Sequence, residues 1–182
     1  MSAVEVSAHL SGKPGAPVGV LSNSLGSTHR MWDPQLSALE ERFAVLRYDT
    51  RGHGASPVPT GPYTIDDLAD DLVGVLDRFD VASAHVVGLS LGGLTAMRVA
   101  IRNPERVNNL ALLCTSAHFA PAQPWIDRAA TVRADGVGAI ADGILTRWFT
   151  AEYLADERHA ESIAWYRTMI ADTPAEGYAA CC

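Results

Sequence analysis

The chain is poor in cysteine, lacks any long apolar run and carries less positive than negative charge, and each shortage excludes something. Its three cysteines are too few for a disulfide framework. Cys181 and Cys182 are adjacent, with no histidine or cysteine at ligand spacing, so no metal site is expected. Cys114 sits in an apolar run and is expected in the core as a small apolar residue. No stretch approaches the ~20 apolar residues that cross a bilayer, and Met1-Ser2-Ala3-Val4-Glu5 lacks the basic-then-apolar pattern of a secretory leader. A cytoplasmic location and no membrane partner are therefore expected. The net charge of −7 argues against a nucleic-acid partner, which needs a basic surface. There is no internal repeat, no low-complexity segment and no long block of like charge.

What remains is ordinary for one soluble domain: 182 residues, 48% hydrophobic and 19% charged. Strand-like and helical stretches alternate through the first half, the pattern of an α/β fold with a mostly parallel sheet and flanking helices. Strands are expected over residues 4–10 (an edge strand), 18–21, 43–47, 84–88 and 107–113, the last one buried. A helix should start after Thr64, whose side chain can cap it with Asp67 three residues on, and run through Ile65, Leu68, Leu72, Leu76 and Phe79 at helical spacing. Another should cover residues 91–102. From residue 121 the pattern holds no strand, and three helices are expected over 125–134, 137–149 and 151–171. The reading is a core at 1–120 with a helical cap at 121–182. Thr173-Pro174-Ala175-Glu176 reads as a capping box opening one more helix. Because only six residues follow it, the chain is expected to be C-terminally truncated.

Gly88-Leu89-Ser90-Leu91-Gly92 fits the pattern G-x-S-x-G, which a sequence rich in these residues matches by chance fairly often. Its context gives it meaning. The apolar run Ala84-His85-Val86-Val87 leads straight into it and an apolar helix leads straight out. So sharp a strand-to-helix turn strains the serine backbone and exposes its hydroxyl. Side chains at 88 and 92 would collide there, and Gly93 lets the helix approach the sheet. The helix start directs backbone N–H groups at developing negative charge. A second donor is expected from Ser22-Asn23-Ser24-Leu25-Gly26, so the paired oxyanion donors are the N–H groups of Leu25 and Leu91.

Ser22-Asn23-Ser24-Leu25-Gly26 with Trp32, and Tyr48-Asp49-Thr50-Arg51-Gly52-His53-Gly54-Ala55-Ser56, resemble the α/β-hydrolase superfamily. Gly88-Leu89-Ser90-Leu91-Gly92-Gly93-Leu94 and Arg147-Trp148-Phe149-Thr150 are similar to its 3-oxoadipate enol-lactonase family. That resemblance implies a serine hydrolase needing no cofactor, in which Ser90 attacks a lactone carbonyl and an acyl-enzyme is hydrolysed to 3-oxoadipate, a step of the β-ketoadipate route of aromatic-acid breakdown. It further implies a carboxylate on the substrate, for which Arg133 and Arg147 are candidates, with Ser24, Trp125 and Trp148 as other contacts. The family order is serine, acid, histidine. After Ser90 only His118 and His159 occur; no strand-end acid follows His118, and His159 lies among Asp156, Glu157, Arg158 and Glu161 on what reads as a solvated helix face. His53 belongs to a structural loop, and His9, His29 and His85 read as surface or satisfied structural residues. The acid and base are therefore expected beyond residue 182, leaving the chain impaired and one sheet edge uncovered, where it can associate. Another esterase, perhydrolase or carbon–carbon hydrolase chemistry stays open, as does a non-catalytic small-molecule binding protein. A dehalogenase is disfavoured, since it needs an aspartate where Ser90 stands.

Overall fold

The structure, a computed structural model, describes residues 3–182. In chain order β1 (Ala8–Gly12) and β2 (Val18–Ser22) precede a 3-10 segment and the short α1 (Leu36–Glu40); β3 (Ala44–Tyr48), α2 (Ile65–Arg78), β4 (Ala84–Leu89), α3 (Leu91–Arg102) and β5 (Val107–Leu113) follow. The strands form one sheet in the order β1-β3-β2-β4-β5, with β1 antiparallel to β3 and the other pairs parallel. The predicted mostly parallel α/β sheet is present. Its edge strand is shifted from residues 4–10 to 8–12, because the Val4 and Ser7 N–H groups donate to side chains, Asp71 Oδ1 at 2.8 Å and Ser56 Oγ at 2.9 Å, and not to a strand.

Alternation along the strands sorts the core onto two faces. Val20, Leu46 and Val86 point toward Leu72, Val75 and Leu76 of α2 and Ala96 and Val99 of α3. Leu21 and Val45 point the other way, toward Trp32. The capping box of α2 forms as predicted: Asp67 N–H donates to Thr64 Oγ1 at 3.1 Å and Thr64 N–H to Asp67 Oδ2 at 2.8 Å. Leu68, Leu72 and Leu76 are buried below it, each contributing about 1.5–3 kcal/mol. The fully buried Arg51 ties the β3–α2 loop to this helix, donating to both oxygens of Asp71 at 2.5 and 2.6 Å.

β5 departs from expectation. It is exposed along most of its length, with Leu110, Leu112 and Leu113 each more than a third accessible. The apolar run was expected to be buried, but β5 pairs only with β4 and stands at the sheet edge among the described residues. Apolarity marked a strand that favours cover without supplying the cover.

The remaining elements are all helical: α4 (Gln123–Asp135), α5 (Ala141–Trp148), α6 (Ala151–Ala155), α7 (Ala160–Ala171) and α8 (Ala175–Ala180). The stretch predicted as one helix over 137–149 opens with a 3-10 turn at Val137–Ile140. The stretch predicted over 151–171 is broken at Asp156, whose extended backbone and Oδ1, accepting from Arg158 N–H at 2.9 Å, restart the chain. The capping box predicted at Thr173 does not form. Pro174 is the N-cap, the Thr173 hydroxyl donates to Met169 O at 3.3 Å, and Glu176 pairs with Arg133. A six-residue helix is marginal in isolation; α8 is held by burial of Gly177, Tyr178, Ala179 and Ala180 and by Tyr63 N–H donating to Ala180 O at 2.9 Å.

Candidate active site

The C-terminal ends of the parallel strands β2, β4 and β5 open on one side, where open α/β sheets place their ligand crevices. The turn out of β4 sets Ser90 there with φ 55° and ψ −115°, a region that L residues rarely enter and that costs about 1–3 kcal/mol. The surroundings enforce it. Ser90 N–H donates to Leu113 O at 2.9 Å, and Ser90 O accepts from Gly93 N–H at 2.9 Å and the Thr115 hydroxyl at 2.7 Å. The two glycines are steric requirements, as predicted. A Cβ on Gly88 would run into Gly92 O, and one on Gly92 into Ser22 O at the end of β2. A Cβ on Gly93 would stand 2.6 Å from Thr115, so this glycine too permits close approach.

The loop after β2 is fixed just as tightly. Asn23 is fully buried, its amide donating to Tyr48 O at 2.6 Å and accepting from Trp32 Nε1 at 2.8 Å. The Ser27 hydroxyl donates to Ser24 O at 2.7 Å. Gly26 N–H donates to His53 Nε2 at 3.0 Å, and His53 Nδ1 lies 3.2 Å from Arg51 O, so the ring is neutral with its proton on Nδ1. Burial agrees, holding the His53 pKa below the ordinary histidine value. From the other side the Tyr178 ring closes on Gly26, where a Cβ would stand 2.9 Å from Cε2. The Leu25 N–H this loop presents has no hydrogen-bond partner among the described residues. Leu91, the first residue of α3, has no intrahelical acceptor. Two unpaired amides thus lie at the loop and helix start that flank Ser90.

Asp49 braces the base of the adjoining loop, accepting from the N–H and Nδ1 of His29 at 2.7 and 2.9 Å and from Ala55 N–H at 3.0 Å. Burial alone would raise its pKa, but these bonds outweigh it and hold the carboxyl below the usual range.

Ser90 opens on a cavity of about 510 Å³. Leu89, Ser90 and Cys114 form its floor, Ser24, Leu25, Met31, Trp32 and Gln35 one wall, and the helices after residue 121 supply Trp125, Arg128, Ile144, Arg147, Trp148, Phe149, Tyr166 and Tyr178. Of the residues singled out from the sequence, the cavity gathers Ser24, Leu25, Ser90, Trp125, Arg147 and Trp148. Leu91 is not among the lining residues; it is buried and packs in one cluster with Leu25 and Tyr178. Arg133 is not among the lining residues; it points to α8, donating to Glu176 at 2.8 and 3.1 Å. Its place is taken by Arg128, five residues earlier on the same helix and so about 140° round its axis. Cys114 was expected in the core, yet it is exposed at φ 43° on the cavity floor, because the end of β5 that carries it is uncovered.

None of the six histidines lines the cavity, and no carboxylate does. His118 is exposed beside Ser116, and His159 stacks on Tyr153 with ring centroids 3.8 Å apart. No cluster among the described residues could hold a metal ion, and no helix there is long and apolar enough to cross a membrane.

A family model described as alpha/beta hydrolase fold matches residues 20–138. The chain is 41% identical over 171 residues to 3-oxoadipate enol-lactonase 2 of Acinetobacter baylyi, covering 94% of itself and 63% of that protein. Against 3-oxoadipate enol-lactonase 1 of the same organism it is 37% identical, covering 97% of itself and 65% of the relative. It thus spans somewhat less than two thirds of these relatives. Among solved structures it is similar to the enol-lactonase from Burkholderia xenovorans LB400, with TM-score 0.92 and 44% identity over 96% of this chain and 67% of that one. A thermophilic esterase from Thermogutta terrifontis matches at TM-score 0.89 and 30% identity, over 98% of this chain and 65% of its own.

Proposed function

Since the chain belongs to the alpha/beta hydrolase fold family, we propose that it carries the nucleophile, oxyanion donors and substrate walls of a lactone or ester hydrolase acting on 3-oxoadipate enol-lactone. One observation carries this reading: a serine held at positive φ between a parallel strand and a helix start, opening on a mostly apolar cavity. The two enol-lactonase relatives and the enol-lactonase neighbour favour a lactone over a simple ester. The esterase neighbour keeps simple-ester hydrolysis as the second reading.

Ser90 Oγ attacks the lactone carbonyl, and the oxygen that gains charge is received by the N–H groups of Leu25 and Leu91. Collapse of that intermediate breaks the ring C–O bond, leaving the acyl group on Ser90. The departing enolate takes up a proton and becomes a ketone, which makes its departure easy. Water then cleaves the ester to release 3-oxoadipate. The first step needs a base within hydrogen-bond reach of Ser90, and none of this chain's histidines lines the cavity. By themselves these 182 residues should turn over far more slowly than they would with a histidine–carboxylate pair supplied.

Hydrolysis of the enol-lactone, followed by loss of its absorbance, tests the reading. A rate above buffer that Ser90→Ala abolishes is expected, and a longer version of the chain bearing a histidine–acid pair should run faster by orders of magnitude. A rate unchanged in Ser90→Ala would overturn the assignment.

A further inference from the structure

The Leu25 N–H can receive developing charge only if its direction is set before the reaction. Two side chains outside the cavity lining set it. The Ser24–Leu25 peptide is planar and trans, so its C=O and N–H point in opposite directions. Ser27, with no exposed surface, donates its hydroxyl to Ser24 O at 2.7 Å. Holding that oxygen on the Ser27 side sends the Leu25 N–H the other way. A different group pins the next peptide. Gly26 N–H donates at 3.0 Å to Nε2 of His53, which is also without exposed surface. His53 can accept there because its proton stays on Nδ1, 3.2 Å from Arg51 O. Arg51 is itself fixed by Asp71 of α2, to which its guanidinium donates at 2.5 and 2.6 Å. With the peptide planes on both sides of the Leu25 Cα held, the two soft dihedrals of this residue have no freedom left. A buried amide without an acceptor costs about 1–3 kcal/mol, and a loop free to turn would swing the Leu25 N–H toward a partner. The bonds made by Ser27 and His53 oppose that turn.

We propose that Ser27 and His53 are positioning residues for the Leu25 oxyanion donor, each locking one of the two peptide planes that meet at Leu25. Neither side chain reaches the substrate. This rests on the hydrolase reading of Ser90 and assigns where its oxyanion geometry is stored.

The test is the rate at which a fluorophosphonate labels Ser90. In that reaction Ser90 Oγ bonds phosphorus, fluoride departs and the hydroxyl proton passes to water, while a phosphoryl oxygen gains charge as the lactone carbonyl oxygen would. The saturating rate therefore reads the donor, and the half-saturating concentration reads binding in the cavity. His53→Leu removes the acceptor and should lower the saturating rate about tenfold to a hundredfold, short of the roughly 10²–10³ that deleting a donor outright costs. Its half-saturating concentration should stay unchanged. His53→Gln restores a neutral acceptor for Gly26 N–H and should recover most of the rate. Ser27→Ala should slow labelling over the same range, and it carries the test if His53→Leu does not fold. Val75→Ala thins the core on the opposite face of the sheet and should leave the rate unchanged. Unchanged saturating rates in His53→Leu and Ser27→Ala, His53→Gln as slow as His53→Leu, or an equal loss in Val75→Ala each overturn the proposal and leave the Ser90 reading standing. Ser90 unlabelled in the unmodified chain overturns the hydrolase reading and this one with it.

Discussion

Replacing Ser90 with glycine should stabilise the fold relative to replacing it with alanine, although both remove the hydroxyl. The residue stands at φ 55°, ψ −115°, where a Cβ costs about 1–3 kcal/mol. Alanine keeps that strain; glycine releases it. Glycine in turn loses about 0.4–1 kcal/mol through the greater freedom of the unfolded chain. The balance favours Ser90→Gly over Ser90→Ala by about 1 kcal/mol, or roughly 2–4 °C in melting temperature for a chain of this size. The hydrogen bonds to Ser90 N–H and O involve backbone atoms and survive in both variants. Urea titrations of the two variants, analysed at a common slope, provide the comparison. If the glycine variant is the less stable one, the turn is relaxed and the argument for a strained, presented nucleophile fails.

Three further outcomes follow from the same geometry. Gly92→Ala drives a methyl into Ser22 O; unfolding titrations should show a loss of about 1–3 kcal/mol, with activity falling as β2 and α3 separate. Asp71→Asn leaves the fully buried Arg51 without its bidentate carboxylate and should cost about 3–5 kcal/mol by the same measurement. For His53 the direction of the pH effect follows from its lowered pKa. The folded state binds fewer protons than the unfolded one, so its contribution is complete above the ordinary histidine value of about 6.5 and is lost as pH falls below it. Stability measured from pH 7 to 5 should decline by up to about 1.4 kcal/mol per pH unit, and His53→Gln, which can still accept from Gly26 N–H, should flatten that decline.

What was legible in the sequence was local. The turn at Ser90 declared itself because glycines at 88 and 92 flank it between an apolar strand and an apolar helix, and the start of α2 because Thr64 and Asp67 satisfy each other within four residues. Facts about which surface meets which were not legible. Val107–Leu113 reads as buried from its apolarity, yet nothing in it states what packs on it. Cys114 inherits that exposure. On α4 only Ala129 and Val132 are buried, too weak a stripe to fix the helix phase, so Arg133 and Arg128 could not be told apart without coordinates. Thr173 carried a capping signal that lost to a hydroxyl bond back into α7. Tyr178 entered the site because α8 docks against Gly26 and Gly52, a contact made across more than a hundred residues of chain.

The account turns on Ser90 being a presented nucleophile beside two free amides. Mass-spectrometric mapping of the chain after prolonged exposure to a fluorophosphonate tests this most directly. With no histidine lining the cavity the reaction should be slow, but the adduct should sit on Ser90 alone and vanish in Ser90→Ala. An adduct spread over surface serines, or none on residue 90 after exhaustive exposure, would contradict it.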